Sequence, residues 1–373
     1  MQTDLELPDL GQLQTQRAKS SRLISTGLQP GGLPASEREA VSTAPHPTEE
    51  TAEAARVANG VPDTRLKPGA NENNTRPFAS TALGQAHLHC EHIAGKSAVT
   101  SVFATSPLKL LTPRSRGDSV WTYLSSFGGG MVAGDETRLD IQLGPDTRCF
   151  VGTQASTKIY RNPSHRPCSH RVHAEAAENS LLVLAPDPVQ AFENSSFRQR
   201  QEIFLHPTAG LMLLDWCCSG RVARGERWAF DYYSSRIEVF ESAPGNTNTG
   251  EATSTRNPKP EIRNSPRVFL DSLLLDPADG PLAAPMRLGR FNCLALLLFL
   301  GPQLQSAAQQ VLANLAERPV TRRAPLVSSA SPIRDGALLR IAGESFADVA
   351  RELHTHLTFL PALLGDDPFA RKW

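Results

Sequence analysis

From about residue 83 onward, the chain is divided into short apolar runs that are separated by turn-forming residues. Runs of this kind, with strand following strand, are typical of a β-rich domain. The pattern predicts strands at 120–124, 139–143, 148–151, 181–184, 198–205, 211–216, 228–233, 236–240, 268–275 and 293–300. Helices do not alternate with these strands, which argues against a doubly wound α/β sheet.

One pair of these strands is expected to form a hairpin. Residues 139–143 alternate between apolar and polar with period two, and Gly144, Pro145 and Asp146 follow before the run at 148–151. Gly, Pro and Asp are residues that favour tight turns. The sequence therefore predicts that these two strands pair with each other.

Two segments of the C-terminal half have the apolar periodicity of helices. Apolar residues recur on one stripe at three- and four-residue spacing in 302–317 and again in 344–360. The stripe of the first helix is Leu304, Ala307, Ala308, Val311, Leu312 and Leu315, and that of the second is Phe346, Val349, Ala350, Leu353 and Leu357.

Two segments have a composition that does not favour a packed core. Residues 1–80 are rich in Gln, Ser, Thr, Pro, Gly and Glu with isolated apolar residues, which predicts a disordered tail. Residues 242–267 are crowded with Pro, Gly, Asn and Thr, which predicts a solvated loop inserted into the β domain at 81–373.

Charge and cysteine usage exclude several classes of protein. The 38 basic and 38 acidic side chains give a formal net charge of zero, so composition makes no case for nucleic-acid or anionic-membrane binding. The apolar run at 291–300 is far shorter than the roughly 20 residues of a membrane span. Six cysteines without a CxxC pair are expected to be reduced thiols. With an acidic N-terminus that is atypical of transit peptides, these features predict a cytoplasmic protein.

A glycine-rich bend followed by a small polar run stands out from this background. Gly128, Gly129 and Gly130 precede Gly134 and Asp135, and the run Thr-Gln-Ala-Ser-Thr-Lys-Ile-Tyr occupies 153–160. Glycine adopts backbone angles that a Cβ forbids and permits a close approach of another chain. An ordinary β-bend with a bulge would also account for the glycines.

These two segments resemble the signature of the UreD (UreH) family of urease accessory proteins. The family shows a GG-hydrophobic-V-x-GD stretch, matched by Gly129, Gly130, Met131, Val132, Gly134 and Asp135, and then TTQASTKVY, matched from Thr153 with Gly152 in place of the first Thr. Further matches, in the order of the eukaryotic-type members, are Gly95-Lys96-Ser97, Pro107-Leu108-Lys109, Leu184-Ala185-Pro186-Asp187-Pro188, Leu214-Asp215-Trp216, Ser219-Gly220-Arg221, Gly225-Glu226 and Leu360-Pro361-Ala362.

The resemblance implies a fold, a function and a set of partners. The fold is a β-helical arrangement of stacked strands with two helices. The function is that of a non-enzymatic scaffold that assembles on apo-urease with a helical accessory protein (UreF-type) and a GTPase (UreG-type), so that nickel reaches the urease active site. No tightly bound cofactor is implied, only transient Ni²⁺. Since no G-x-x-x-x-G-K-[ST] loop occurs, GTP hydrolysis is expected in the partner. The helix at 344–360 is expected to face the helical partner.

Under this family interpretation, polar residues near the glycine bend are candidates for a nickel passage. The candidates are Asp135, Thr153, Gln154, Lys158, Asp187 and Glu226, with Asp215 as a further acidic residue in a constrained place. Weak, exchangeable oxygen ligands suit a transient carrier better than a closed cage.

Two His/Cys clusters leave an alternative function open. In a strand, His87, His89 and Glu91 would share one face, which a solvated surface explains best. The second cluster, Cys168, His170 and His173, could converge on Ni²⁺ or Zn²⁺ and serve a metal-dependent hydrolase. No G-x-S-x-G or H-E-x-x-H motif supports a hydrolase. A β-solenoid binding module without metal is the third interpretation.

Overall fold

The computed structural model describes residues 83–114, 117–242, 265–319 and 321–370. The predictions for the tail at 1–80 and for most of the loop at 242–267 lie outside the described residues. The described strands are β1 Gly84–Ile93, β2 Lys96–Ala104, β3 Leu108–Leu111, β4 Val120–Ser126, β5 Gly130–Met131, β6 Glu136–Leu143, β7 Arg148–Thr153, β8 Thr157–Ile159, β9 Cys168–Ala176, β10 Leu181–Ala185, β11 Val189–Ala191, β12 Ser196–Leu205, β13 Gly210–Cys218, β14 Tyr232–Glu241, β15 Arg267–Leu275, β16 Cys293–Leu300, β17 Leu326–Ile333 and β18 Gly336–Gly343. The described α-helices are α1 Gln305–Ala316, α2 Phe346–His356 and α3 Leu360–Leu364.

The strands form two stacked sheets. The seven-stranded sheet has the order β15-β14-β12-β9-β6-β1-β2, and the main path of the eleven-stranded sheet is β17-β18-β16-β13-β10-β7-β4-β3. The strands β6, β9 and β12 of the first sheet alternate along the chain with β7, β10 and β13 of the second, and neighbours within each of these sets pair in parallel. Each coil of the chain therefore adds one strand to each sheet. This confirms the expected β-helical arrangement of stacked strands.

The predicted hairpin between 139–143 and 148–151 is wrong, because its two strands belong to different sheets. β6 pairs with β1 and β9, whereas β7 pairs with β4 and β10. The turn between them is a corner of the coil, in which Asp146 has a φ of 57° and its N–H donates to the Glu178 carbonyl in the next coil at 2.9 Å. Turn residues are the same for a hairpin and a corner, so the local sequence did not distinguish them.

The central strands β10, β13 and β16 of the eleven-stranded sheet are buried on both faces, which explains their continuous apolar runs. The inner face of this sheet packs against the seven-stranded sheet through residues such as Val151, Leu182 and Leu211. On its other face, Phe150 and Phe299 belong to a second core that also contains residues of all three α-helices. The run at 293–300, predicted as a buried strand, is β16, with both of its faces covered.

The outer face of the seven-stranded sheet carries a group of charged side chains on its central strands. Four arginines stand in register across β6, β9, β12 and β14, namely Arg138, Arg171, Arg200 and Arg236. Glu238 lies two residues after Arg236 on β14. Its carboxylate accepts hydrogen bonds from Arg200, Arg236 and Arg267 at 3.0–3.1 Å. The hydrogen bond from Arg236, helped by Arg267, lowers the pKa of Glu238 to about 2 despite its burial. Around Glu238, the charged side chains of this face are thus paired with one another.

Several local predictions need correction. The predicted strand 228–233 is wrong for its first four residues, because β14 begins at Tyr232 and Trp228 has a φ of 54°. The helix predicted at 344–360 is α2 followed by the short α3, and the helix predicted at 302–317 is α1 preceded by a 3-10 turn at Pro302–Leu304.

All six cysteines are free thiols. Among the described residues, no helix is both long and apolar enough to cross a membrane.

A buried carboxylate ties α2 to the segment that follows α1. Glu352 accepts hydrogen bonds from Ser328 Oγ at 3.1 Å and from the Arg318 guanidinium, and it lies 3.2 Å from His356 Nε2. The hydrogen bond to His356, together with Arg318, lowers the pKa of Glu352 from 4.5 to about 2, against the opposing effect of burial.

The stability that Glu352 provides is therefore expected to depend on pH. A carboxylate whose pKa is depressed on folding stabilises the fold above its unfolded pKa, and this stability is lost as the pH falls through the folded pKa. Between about pH 4.5 and 2, the free energy of unfolding of the wild type should fall more steeply than that of Glu352→Gln. Denaturant titrations across this range measure the difference. Parallel curves for the two proteins would contradict the assignment.

Candidate functional site: a polar cavity between the sheets

A cavity of about 320 Å³ lies between the two sheets. Its apolar part is lined by core residues, including Leu139, Val151, Val172 and Leu184. The polar side chains that line it are Ser125, Ser126, Thr137, Thr153, Gln154, Ser156, Thr157, His170, Asp187, Gln199, Gln201 and Asp215. Gln154 and Gly129 are exposed, so the cavity opens to solvent at the end formed by the glycine bend and the small polar run.

The polar side of the cavity is built by one row of inward-facing positions. Thr137, His170, Gln199 and Ser235 stand in register across β6, β9, β12 and β14. Inward positions in such a sandwich are ordinarily apolar, and two residues further along, β6, β9 and β14 contribute buried apolar side chains. The row thus interrupts the apolar core, and we call it the polar row.

Asp215 on β13 faces the polar row from the opposite sheet. Its carboxylate accepts hydrogen bonds from Gln199 Nε2 at 2.9 Å and from Ser235 Oγ at 2.6 Å. Burial raises the pKa of Asp215 above its ordinary value, the two hydrogen bonds oppose this shift, and the nearby Asp271 carboxylate adds to it. An ionised carboxylate that is enclosed between the sheets lowers the free energy of unfolding. Its negative charge also favours the approach of a cation.

His170 occupies the polar row next to Thr137. Its Nδ1 lies 2.8 Å from Thr137 Oγ1, and that hydroxyl also lies 3.2 Å from the Ser169 carbonyl. Burial lowers the pKa of His170 to about 4, so the ring is neutral at physiological pH. A neutral imidazole is the form that binds metal ions.

Thr153 and Asp187 form a second polar pair in the wall of the cavity. The Thr153 hydroxyl donates to Asp187 Oδ2 at 2.8 Å and accepts from the Asp187 N–H at 2.7 Å. At the opening, Ser125 Oγ donates to Gln154 Oε1 at 2.8 Å. Three of the residues predicted for a passage, Thr153, Gln154 and Asp187, are therefore brought together in one cavity, and Asp215 joins them.

The other three passage candidates lie apart from the cavity lining. Asp135 Oδ2 accepts from the Val132 N–H at 2.9 Å within the glycine bend, and the Lys158 side chain is exposed. Glu226 pairs with the Arg221 guanidinium, whose hydrogen bond holds the pKa of Glu226 below its ordinary value. A role for these three residues in nickel transfer stays a prediction.

The glycine bend forms part of the opening and also contains a short strand. Gly128 and Gly129 have φ of 78° and 69°, in the left-handed region that favours glycine. Gly130 begins β5, which pairs in parallel with β8. A Cβ at Gly130 would collide with the Lys158 carbonyl oxygen and lie 2.7 Å from the Tyr160 ring. Both interpretations of the bend, as a turn and as a place of close approach, apply here.

The structure does not bring Cys168, His170 and His173 together. They lie on the strand β9, where Cys168 and His170 face inward and His173 faces the outer surface, next to Glu175 at 3.2 Å. Burial also raises the pKa of the Cys168 thiol to about 12, which disfavours the thiolate that metals bind. Within the described parts of the chain, no group of three or more His, Cys, Asp or Glu side chains is placed to hold a metal ion. The hydrolase interpretation thus loses its metal centre.

The first His cluster has the surface arrangement expected of it. On β1, His87, His89 and Glu91 alternate with the buried Leu88 and Cys90. His89 Nε2 lies 2.8 Å from Glu91 Oε1.

Sequence reasoning missed Thr137, Gln199 and Ser235 as parts of the site. Each stands at the inward position of an alternating strand, where an apolar residue is expected. A polar residue at an inward position was the available signal in the sequence. The strand register that aligns the three residues is not visible in a single sequence.

Comparison with known proteins gives the family. The family model described as UreD urease accessory protein matches residues 82–373. The chain is 44% identical to the urease accessory protein UreD of Sorangium cellulosum over 78% of this chain and 84% of that protein. It is 38% identical to UreD of Anaeromyxobacter over 79% of this chain and 92% of that protein. It is 29% identical to urease accessory protein D of Oryza sativa subsp. indica over 78% of this chain and 97% of that protein. The chain therefore belongs to the UreD family of urease accessory proteins.

Proposed function

We propose that this chain acts in urease maturation as a non-catalytic scaffold whose cavity carries Ni²⁺ on its way to the active site of apo-urease. It does so together with a helical accessory protein of the UreF type and a GTPase of the UreG type. The observation that carries the proposal is the cavity between the sheets, whose open end is formed by the family's most characteristic segments.

The chemistry of the lining supports transit rather than storage. The polar donors are mainly hydroxyl, amide and carboxylate oxygens, with one imidazole. Oxygen donors and water exchange readily on divalent cations, whereas a closed set of thiolate and imidazole ligands would retain nickel. The Asp187 and Asp215 carboxylates supply negative charge, which attracts the cation into an enclosed space.

The position of α2 supports a docking role for the C-terminal helices. Trp216, which lines the cavity, stacks on Phe346 of α2 with ring centroids 5.3 Å apart. Phe346 is 44% exposed, so an apolar side chain in direct contact with the cavity wall is available to a partner. A helical accessory protein that covers α2 would lie next to the metal's route. The proposed place of this assembly is the cytoplasm.

Blocking the opening of the cavity is the direct test. Ala155 is exposed and lines the opening, and Ala155→Trp would narrow it with little demand on the core. We expect urease matured with Ala155→Trp, the accessory proteins, GTP and limiting Ni²⁺ to contain several-fold less nickel than urease matured with the wild type. Metal analysis of the purified urease provides the measurement.

The matched control is Ala223→Trp, on the exposed turn Val222–Arg224 outside the cavity lining. It should give the nickel content of the wild type. Co-purification of urease and the accessory proteins with each variant separates a blocked passage from failed assembly. If the Ala155→Trp protein assembles and the urease carries its full nickel, the cavity is not the route.

A further inference from the structure

We propose that His170 is a nitrogen donor to Ni²⁺ inside the cavity and that Thr137 is the positioning residue that fixes its ring. This inference deepens the proposed function and rests on it. It assigns the preference of the passage for nickel over hard cations such as Mg²⁺ to one side chain.

The hydrogen bonds around Thr137 select the tautomer of His170. A hydroxyl group has one hydrogen and can accept further hydrogen bonds. Thr137 Oγ1 lies 3.2 Å from the Ser169 carbonyl oxygen, which can only accept, and in the proposed arrangement the hydroxyl hydrogen goes there. The same oxygen then accepts from His170 Nδ1–H at 2.8 Å. Nε2 is left without a hydrogen, with its lone pair available.

This arrangement is the one that supports metal-binding histidines. A metal-binding imidazole ordinarily donates its second ring N–H to an oxygen acceptor, which fixes both the tautomer and the orientation of the ring. His170 has such an acceptor in place, and its ring lines the cavity. Among the described residues of the lining, His170 is the one histidine.

A single nitrogen donor in an oxygen-lined passage gives selectivity without trapping the ion. Carboxylate, carbonyl and water ligands suit Mg²⁺ and Ca²⁺, whereas imidazole suits Ni²⁺. Oxygen donors alone would thus admit the more abundant hard cations. Because the described residues contain no three-ligand metal group, one imidazole and water would bind nickel weakly enough for release.

Nuclear magnetic resonance of the histidines in the full chain tests the donor directly. The outer-face residues His87 and His89 are changed to Gln first, so that they do not take up the added metal. The ring ¹⁵N shifts should report hydrogen on Nδ1 of His170, and substoichiometric Ni²⁺ should broaden the His170 resonances before those of His173. A His170 protonated on Nε2, or unaffected by Ni²⁺, would overturn the proposal.

Matched variants then test selectivity in urease maturation with limiting Ni²⁺ and excess Mg²⁺. His170→Gln should lower the nickel content of urease several-fold, and His173→Gln, the same change on the outer face of the same strand, should not. Thr137→Val should weaken the Ni²⁺ affinity of His170 by about tenfold, as loss of an orienting partner does, and Thr137→Ser should restore it.

The outcomes separate this inference from the proposed function. If His170→Gln matches the wild type in urease nickel content, the nitrogen donor is overturned while the passage stands. If Ala155→Trp has no effect, the passage fails, and the resonance experiment still decides whether His170 binds Ni²⁺.

Discussion

Gly130→Ala is expected to destabilise the protein by roughly 3 kcal/mol, near the upper end of the cost of overpacking a tight site. For a domain of this size that corresponds to a fall in melting temperature of about 5 °C. The cause is steric, because the backbone at Gly130 is extended (φ 177°) and suits any residue. The added methyl group would collide with the Lys158 carbonyl oxygen and the Tyr160 ring.

The expected damage extends from the fold to the opening of the cavity. Tyr160 packs over Gly130 and donates its hydroxyl to the Gly128 carbonyl at 2.9 Å, which holds the bend closed. A methyl group that displaces this ring would release the neighbouring Gly129, which lines the cavity. Gly130→Ala should therefore also lower the nickel content of matured urease.

Gly128→Ala is the matched control, two residues away. Gly128 has a φ of 78°, but no atom lies within 4 Å of the place that a Cβ would occupy. Its cost is therefore backbone strain of about 1 kcal/mol. Thermal and denaturant unfolding of both variants give the comparison. Equal destabilisation by the two changes would mean that the close approach at Gly130 costs no more than the backbone strain at Gly128.

The parts of the fold that the sequence predicted are those where burial dominates. β10, β13 and β16 belong to the sheet that is covered on both faces, so their continuous apolar runs identified them. β9 was missed as a strand because its outer face carries His and Arg while Cys168 and His170 face inward. The alternation of apolar and polar residues is clear only from Arg171 to Ala176, where the inward residues are Val172, Ala174 and Ala176.

The candidate site was predictable in its chemistry but not in its geometry. The small polar run and Asp187 could be recognised from the family signature, and Asp187 and residues 153–157 of the run do line the cavity. The pairing register of strands from different coils decides which other residues line the cavity. Thr137, His170 and Gln199 come from three coils, and only the parallel pairing of β6, β9 and β12 places them side by side. A single sequence records no such register.

Asp215→Asn is expected to preserve or raise stability while it lowers nickel delivery several-fold. The carboxylate is enclosed by the two sheets, and burial raises its pKa. An ionised group in such a place costs free energy that a neutral amide of the same shape does not. The amide oxygen can still accept from Gln199, and the amide nitrogen can donate to Ser235 Oγ, so the hydrogen-bond network persists.

The pH dependence of unfolding shows whether Asp215→Asn raises or lowers the free energy of unfolding. A raised pKa means that the folded state holds its proton to higher pH than the unfolded state does. The wild type therefore loses stability as the pH rises from about 3.8 through the raised folded pKa. Asp215→Asn lacks this loss, so its free energy of unfolding should equal or exceed that of the wild type at neutral pH.

Nickel delivery by Asp215→Asn should fall, because the amide removes a negative charge from the cavity wall. Asp140→Asn is the control: it makes the same substitution on the outer face, where Asp140 pairs with Arg138 at 2.7 Å. Asp140→Asn should lower the free energy of unfolding by no more than about 1 kcal/mol, which is what the loss of an exposed ion pair costs, and it should leave the urease nickel content unchanged.

A destabilised Asp215→Asn protein that still fills urease with nickel would make Asp215 a structural residue. A more stable protein that delivers less nickel would mean that the chain keeps a buried charge at the expense of stability because the passing cation needs it.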